Sequence, residues 1–124
     1  MRELVKVYKA LADESRLRVL NLLMERECCV CEVMQVLEIS QSKASRILST
    51  LYDVGFLKLR KNGLWSLYSI DEDNKDTQLQ AILKATSKSF KENRQMAVDR
   101  ERLAKAERVG PGCAGNMCAN TAGC

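Results

Sequence analysis

The chain predicts a mainly α-helical fold carrying one small β-hairpin. Three observations lead there: apolar residues recur at helical spacing through most of the 124 residues, one stretch near residue 60 switches to period two, and a single proline leaves the rest free to be helical. This length suits one domain with a single core.

Residues 2–12 carry Leu4, Tyr8 and Leu11 at helical spacing, beside Val5 and Ala12. Asp13 is a good cap for a second helix, whose stripe of Leu17, Leu20 and Met24 is widened by Val19, Leu22 and Leu23. After the cysteine run Cys28-Cys29-Val30-Cys31, a short helix fits 32–37, with Val33, Val36 and Leu37 inward. Ser40 is a good N-cap for a helix over 41–54, with Ala44, Ile47, Leu48 and Leu51 on its apolar side and Gly55 as its stop. From Phe56 the period changes. Leu57-Lys58-Leu59-Arg60 alternates, Asn62-Gly63 predicts a type I′ turn, and 64–70 is the return strand. Tyr68 and Ile70 share a strand face, expected to be the core face; Trp65 lies on the other, with its direction open. A long helix is expected over 76–107, with a stripe through Leu79, Ile82, Leu83, Phe90, Met96 and Leu103. Its length exceeds what a small domain covers alone, so a homodimer through the terminal helices is expected.

Residues 1–107 thus read as one domain, and 108–124 as a flexible, small-residue tail containing Cys113, Cys118 and Cys124. The N-terminus is patterned like an amphipathic helix rather than a signal peptide, and no apolar run is long enough to span a bilayer. A cytoplasmic location with no membrane partner is expected, where thiols stay reduced and cysteines serve as ligands or redox sensors.

Helix, turn, helix and a basic hairpin describe a winged helix-turn-helix. The helix after Ser40 presents Gln41, Ser42, Lys43, Ser45, Arg46 and Ser49 opposite its apolar stripe, and such groups suit base edges and phosphates of duplex DNA. Lys58, Arg60 and Lys61 of the wing can reach the flanking backbone. The overall charge of +4 is mild, but between residues 40 and 61 five cations are opposed only by Asp53. Enzymatic function is not expected: the chain has no histidine, and no carboxylate pair or glycine-rich phosphate loop stands out.

The six cysteines and the absence of histidine favour a soft, thiophilic ion. If the Cys28–Cys31 run is extended, Cys29 and Cys31 share a face and Cys28 points away; if helical, Cys28 and Cys31 share one. Either way two sulfurs come from the run. A third donor can come from Cys113, Cys118 or Cys124, those three can close a site of their own, or a bent backbone can let Cys28 complete the site beside Cys29 and Cys31. Met34 suits core packing better than thioether ligation.

Leu11-Ala-Asp-Glu-Ser-Arg-Leu-Arg-Val-Leu20, Glu27-Cys-Cys-Val-Cys-Glu-Val33, Ser40-Gln-Ser-Lys-Ala-Ser-Arg-Ile-Leu48 and Gly63-Leu-Trp-Ser-Leu-Tyr68 together resemble the ArsR/SmtB family of metal-sensing repressors, and within it the arsenite-responsive branch. The resemblance spans about residues 4–105. It implies a dimeric winged-helix repressor that holds operator DNA when empty and leaves on binding As(III) or Sb(III), with no organic cofactor. In that branch Cys29 and Cys31 match the first two ligand cysteines. Met34 stands at the third, Cys28 replaces a leucine, and Ile47 replaces a common histidine. The family's histidine-carboxylate zinc site has no counterpart. A cadmium or lead sensor of the same fold, and a thiol-redox repressor, are the alternatives.

Overall fold

In the computed structural model, which describes residues 1–108, the order is α1 (Arg2–Leu11), α2 (Glu14–Glu25), α3 (Val30–Leu37), α4 (Gln41–Asp53), β1 (Leu57–Asn62), β2 (Trp65–Ile70), α5 (Thr77–Phe90) and α6 (Arg94–Lys105). Helices α2, α3 and α4 pack on one another around Val19, Leu20, Leu22, Val33, Val36, Leu48 and Leu51, all fully buried. The antiparallel hairpin follows α4 directly, giving a winged helix-turn-helix. No helix of the described residues is long and apolar enough to cross a membrane.

Most starts and stops follow from local chemistry. Asp13 accepts from Arg16 N at 3.0 Å to open α2, and Ser40 accepts from Lys43 N at 3.2 Å to open α4. Gly55 ends the α4 turn with φ +101, and a Cβ there would stand 2.9 Å from Leu79 Cδ2. The stripe of α4 is buried as expected, at Ala44, Ile47, Leu48 and Leu51.

Four sequence expectations need correction. In α1 the buried residues are Val7 and Ala10, while Tyr8 and Val5 are 55% and 45% exposed. Helix α3 begins at Val30 rather than 32, because Cys29 takes the N-cap position with extended backbone and places Cys31 in the first turn. The hairpin register pairs Asn62 with Trp65, so the two-residue loop is Gly63-Leu64 instead of Asn62-Gly63. Only the first loop residue, Gly63 at φ +63, has positive φ, which is the pattern of a type II′ turn.

The fourth correction is the largest. The single helix expected over 76–107 is two helices, broken at 91–93, where Asn93 accepts from Met96 N at 3.1 Å and restarts the chain as α6. Helix α6 turns back to lie on α2 and α3 of its own chain, burying Met96, Asp99 and Leu103. The predicted stripe is inward throughout, but its own domain covers it, so helix length gives no argument for a second copy.

Candidate metal centre and nucleic-acid interface

The thiol site grows from the α2–α3 connection. Extended backbone at Cys29 followed by one helical residue brings Cys29 Sγ and Cys31 Sγ to 2.9 Å. This is the side-chain arrangement expected of the extended alternative. Cys28 packs into the main core, with its Sγ donating weakly to Arg26 O at 3.5 Å, whereas Cys29 and Cys31 form a separate buried cluster with Leu67, edged by Trp65. Met34 is buried in the main core.

The wing supplies the wall of this cluster. Strand β2 is covered on both faces: Tyr68 and Ile70 lean on the main core, while Trp65 and Leu67 face the sulfurs. Cys28 exchanges both main-chain hydrogen bonds with Tyr68, each 2.9 Å, so the cysteine segment lies along the hairpin as a short third edge. The indole Nε1 of Trp65 is buried and has no hydrogen-bond acceptor among the described residues.

Glu32 organises the charge around the pair. Its carboxylate, 2% exposed, accepts from Cys29 N at 2.9 Å, Arg26 Nη1 at 2.6 Å and Arg108 Nε at 3.0 Å. Burial opposes its ionisation, but the hydrogen bonds from Cys29, Arg108 and Arg26 prevail and hold its carboxyl below the usual range. Burial pushes the Cys28 thiol up to about 12 and the Cys29 thiol up to about 11. Both are therefore protonated near neutrality, and an ion must displace protons to be held.

The C-terminal end of α6 reaches the same place. Gln35 of α3 clasps Glu107 twice, donating to its carbonyl at 2.6 Å and accepting from its N–H at 3.1 Å. Arg108 then lies 6.0 Å from the Trp65 ring centre as well as on Glu32. Among the described residues no group of three Cys, Asp or Glu side chains is placed to hold one ion. Among the described residues the donors brought together here are the sulfurs of Cys29 and Cys31, and sulfur fits a soft ion. Cys113, Cys118 and Cys124 lie outside the described residues.

On α4, Ser42, Lys43 and Arg46 are exposed and Gln41 and Ser45 are half-buried, with Gln41 Nε2 donating to Ser45 Oγ at 3.0 Å. The wing cations divide. Directly paired residues share a face, so Lys58 and Arg60 leave with Ser69 and Leu67, and Lys61 leaves on the other face with Ser66. Arg60 is further engaged by Glu27, through Nε–Oε2 at 2.9 Å and Nη2–Oε1 at 2.5 Å. The hydrogen bond from Arg60 holds the Glu27 carboxyl below its ordinary range.

Sequence reasoning passed over Glu27, Glu32, Trp65, Leu67 and Arg108. One signal was available: Cys29-Val-Cys-Glu32 has the spacing of a capping box with cysteine in the usual serine place.

Comparison with known proteins agrees with this arrangement. Residues 13–58 match the model of bacterial regulatory proteins of the arsR family. The chain is 33% identical over 96 residues to a cadmium resistance transcriptional regulatory protein CadC homolog of Staphylococcus aureus, covering 77% of this chain and 74% of that one. The chain belongs to the arsR family. This arsR-family member is 43% identical over 74 residues to the arsenic resistance transcriptional regulator ArsR1 of Pseudomonas putida, with 56% of this chain and 58% of that one covered. Among solved structures, reduced HlyU from Vibrio cholerae superposes with a TM-score of 0.60 at 28% identity, covering 73% and 92% of the two chains. As an arsR-family protein the chain is a winged helix-turn-helix, DNA-binding transcriptional regulator.

Proposed function

We propose that this regulator is a cytoplasmic, metalloid-responsive repressor that binds duplex operator DNA as a homodimer when empty and dissociates when As(III) or Sb(III) binds Cys29 and Cys31. The observation that carries the reading is the 2.9 Å approach of the two sulfurs at the first turn of α3, the helix that leads into the DNA-reading α4. Hydroxyl or carboxylate donors there would suit a harder ion; buried sulfur suits a soft one. Relatives named for arsenic and for cadmium resistance support a metal or metalloid inducer. Cadmium or lead is therefore the variant to test beside arsenite. Exposed Val5 and Tyr8 on α1 offer apolar area for a second copy.

A tail cysteine is the proposed third donor. Arg108 is anchored on Glu32 beside the pair, and Cys113, five residues further, has a contour reach of about 17 Å. Ion binding reshapes the chain entering α3 and so the setting of α4, a coupling of the usual order of about 1–3 kcal/mol.

A thiol-redox repressor is the second reading, favoured by the same short sulfur–sulfur approach. The deciding experiment titrates the DNA complex with sodium arsenite, and separately with peroxide in metal-free buffer. Cys29→Ser and Cys31→Ser should each keep DNA binding and lose release by arsenite. Full release by arsenite from both variants would reject this site, and release by peroxide alone would favour the redox reading.

A further inference from the structure

The thiol segment and the wing form a closed circuit. Leu67 is fully buried against Cys29 and Cys31. Across the ladder its partner is Arg60, on the same face. Arg60 forks onto Glu27 with bonds of 2.9 and 2.5 Å, and Glu27 precedes Cys28, whose main chain is paired to Tyr68 of β2. Any shift of the two sulfurs therefore meets the wing from both ends of this circuit.

We propose that Arg60 is a positioning residue, which through Glu27 sets the angle of the wing according to the state of the Cys29–Cys31 site, and is not a DNA contact. The inference rests on the sensing function proposed above. A fork fixes orientation as well as distance, because two parallel N–H···O bonds leave the planar guanidinium little freedom to swing. Pairing also neutralises Arg60, so it has less charge to offer a phosphate. Lys58 and Lys61 carry no such partner among the described ion pairs and remain the wing's cations for DNA. The side chains of Arg60 and Glu27 are 56% and 26% exposed, so the pair contributes little to stability and its loss should leave the fold standing.

The test compares full-length wild type, Glu27→Gln, Arg60→Gln and the charge-swapped double variant Glu27→Arg/Arg60→Glu. DNA is a labelled duplex selected in vitro with the ion-free protein; the ions are sodium arsenite and cadmium chloride, used separately. Ion uptake is followed by the fluorescence of Trp65, the sole tryptophan, which borders the sulfurs. The wild type should lose DNA affinity about tenfold or more on loading. Each single variant should bind the ion with unchanged stoichiometry but lose affinity by less than about threefold, and the swapped pair should recover most of the response. Arg60→Gln that keeps the full response would overturn the proposal. So would an ion-free salt slope lowered by about 0.9 in Arg60→Gln but not in Glu27→Gln, since that marks a phosphate contact. A loaded wild type that grips DNA as tightly as the empty one would reject the sensing function itself, and the positioning role with it.

Discussion

Arg18 of α2 holds Asp99 of α6 through a fork of 2.7 and 3.0 Å, joining residues 81 apart in sequence. Asp99 is fully buried and also accepts from Gln95 Nε2 at 2.9 Å. With buried Met96 and Leu103 and the hydrogen bonds from Asn21 to Met96 O and from Arg26 to Leu103 O, this pair seats the returning helix. Arg18→Ala leaves a buried carboxylate without its cation and should cost about 3 kcal/mol in denaturant unfolding. Asp99→Ala should cost less, since the Arg18 side chain is 19% exposed and can turn to water. Equal costs would mean the two changes act through packing alone.

Alkaline stability should report Cys28. Burial raises its thiol from 9.0 to about 12, so the folded protein holds the proton more tightly than the unfolded chain. The resulting stability is fully present below about pH 9 and is lost as pH climbs towards 12. Cys28→Ala should flatten the fall of unfolding free energy over this window, whatever it does to the value at pH 7. A profile parallel to wild type would show that other groups govern the alkaline limb.

Arg46 stands exposed on α4, opposite buried Ile47 and Leu48. Arg46→Ala should weaken specific DNA binding by about 1–3 kcal/mol if the guanidinium reads a base edge. Equal loss on specific and random duplexes would assign it to phosphate, and no loss would remove α4 from the groove.

The two wing cations nearest the turn should behave differently. Lys61→Gln should make the salt dependence of DNA binding shallower by about 0.9, the release of one counterion. Arg60→Gln should leave the slope near wild type because Glu27 already neutralises it. Binding measured across a range of salt concentrations separates the two.

Truncation after Arg108 keeps the Gln35–Glu107 clasp and the Arg108–Glu32 contact. Dimer and DNA binding should survive, while arsenite affinity or stoichiometry falls. Fewer ions with unchanged release would indicate a separate tail site of Cys113, Cys118 and Cys124. No change in either quantity would make the tail inert.

The helix-turn-helix was legible because its signals are local. Asp13 and Ser40 cap by reaching three residues ahead, Gly55 takes a backbone angle other residues resist, and the stripe of α4 is set by helical period alone. The cysteine run was legible only as two alternatives, Cys29 with Cys31 or Cys28 with Cys31, and the extended N-cap at Cys29 decided for the first. What only the tertiary structure decided depends on partners distant in the chain. The break at Asn93 is a weak polar cap that matters because Arg18, Asn21 and Arg26 wait on α2 to receive α6. Strand periodicity could not say that both faces of β2 would be covered, since alternation assigns faces but not what meets them. Nor could a basic cluster reveal that Arg60 is held by Glu27, 33 residues earlier. Local sequence sets backbone and period; contacts distant in the chain decided that Glu27 holds Arg60 and that Asp99 holds Arg18.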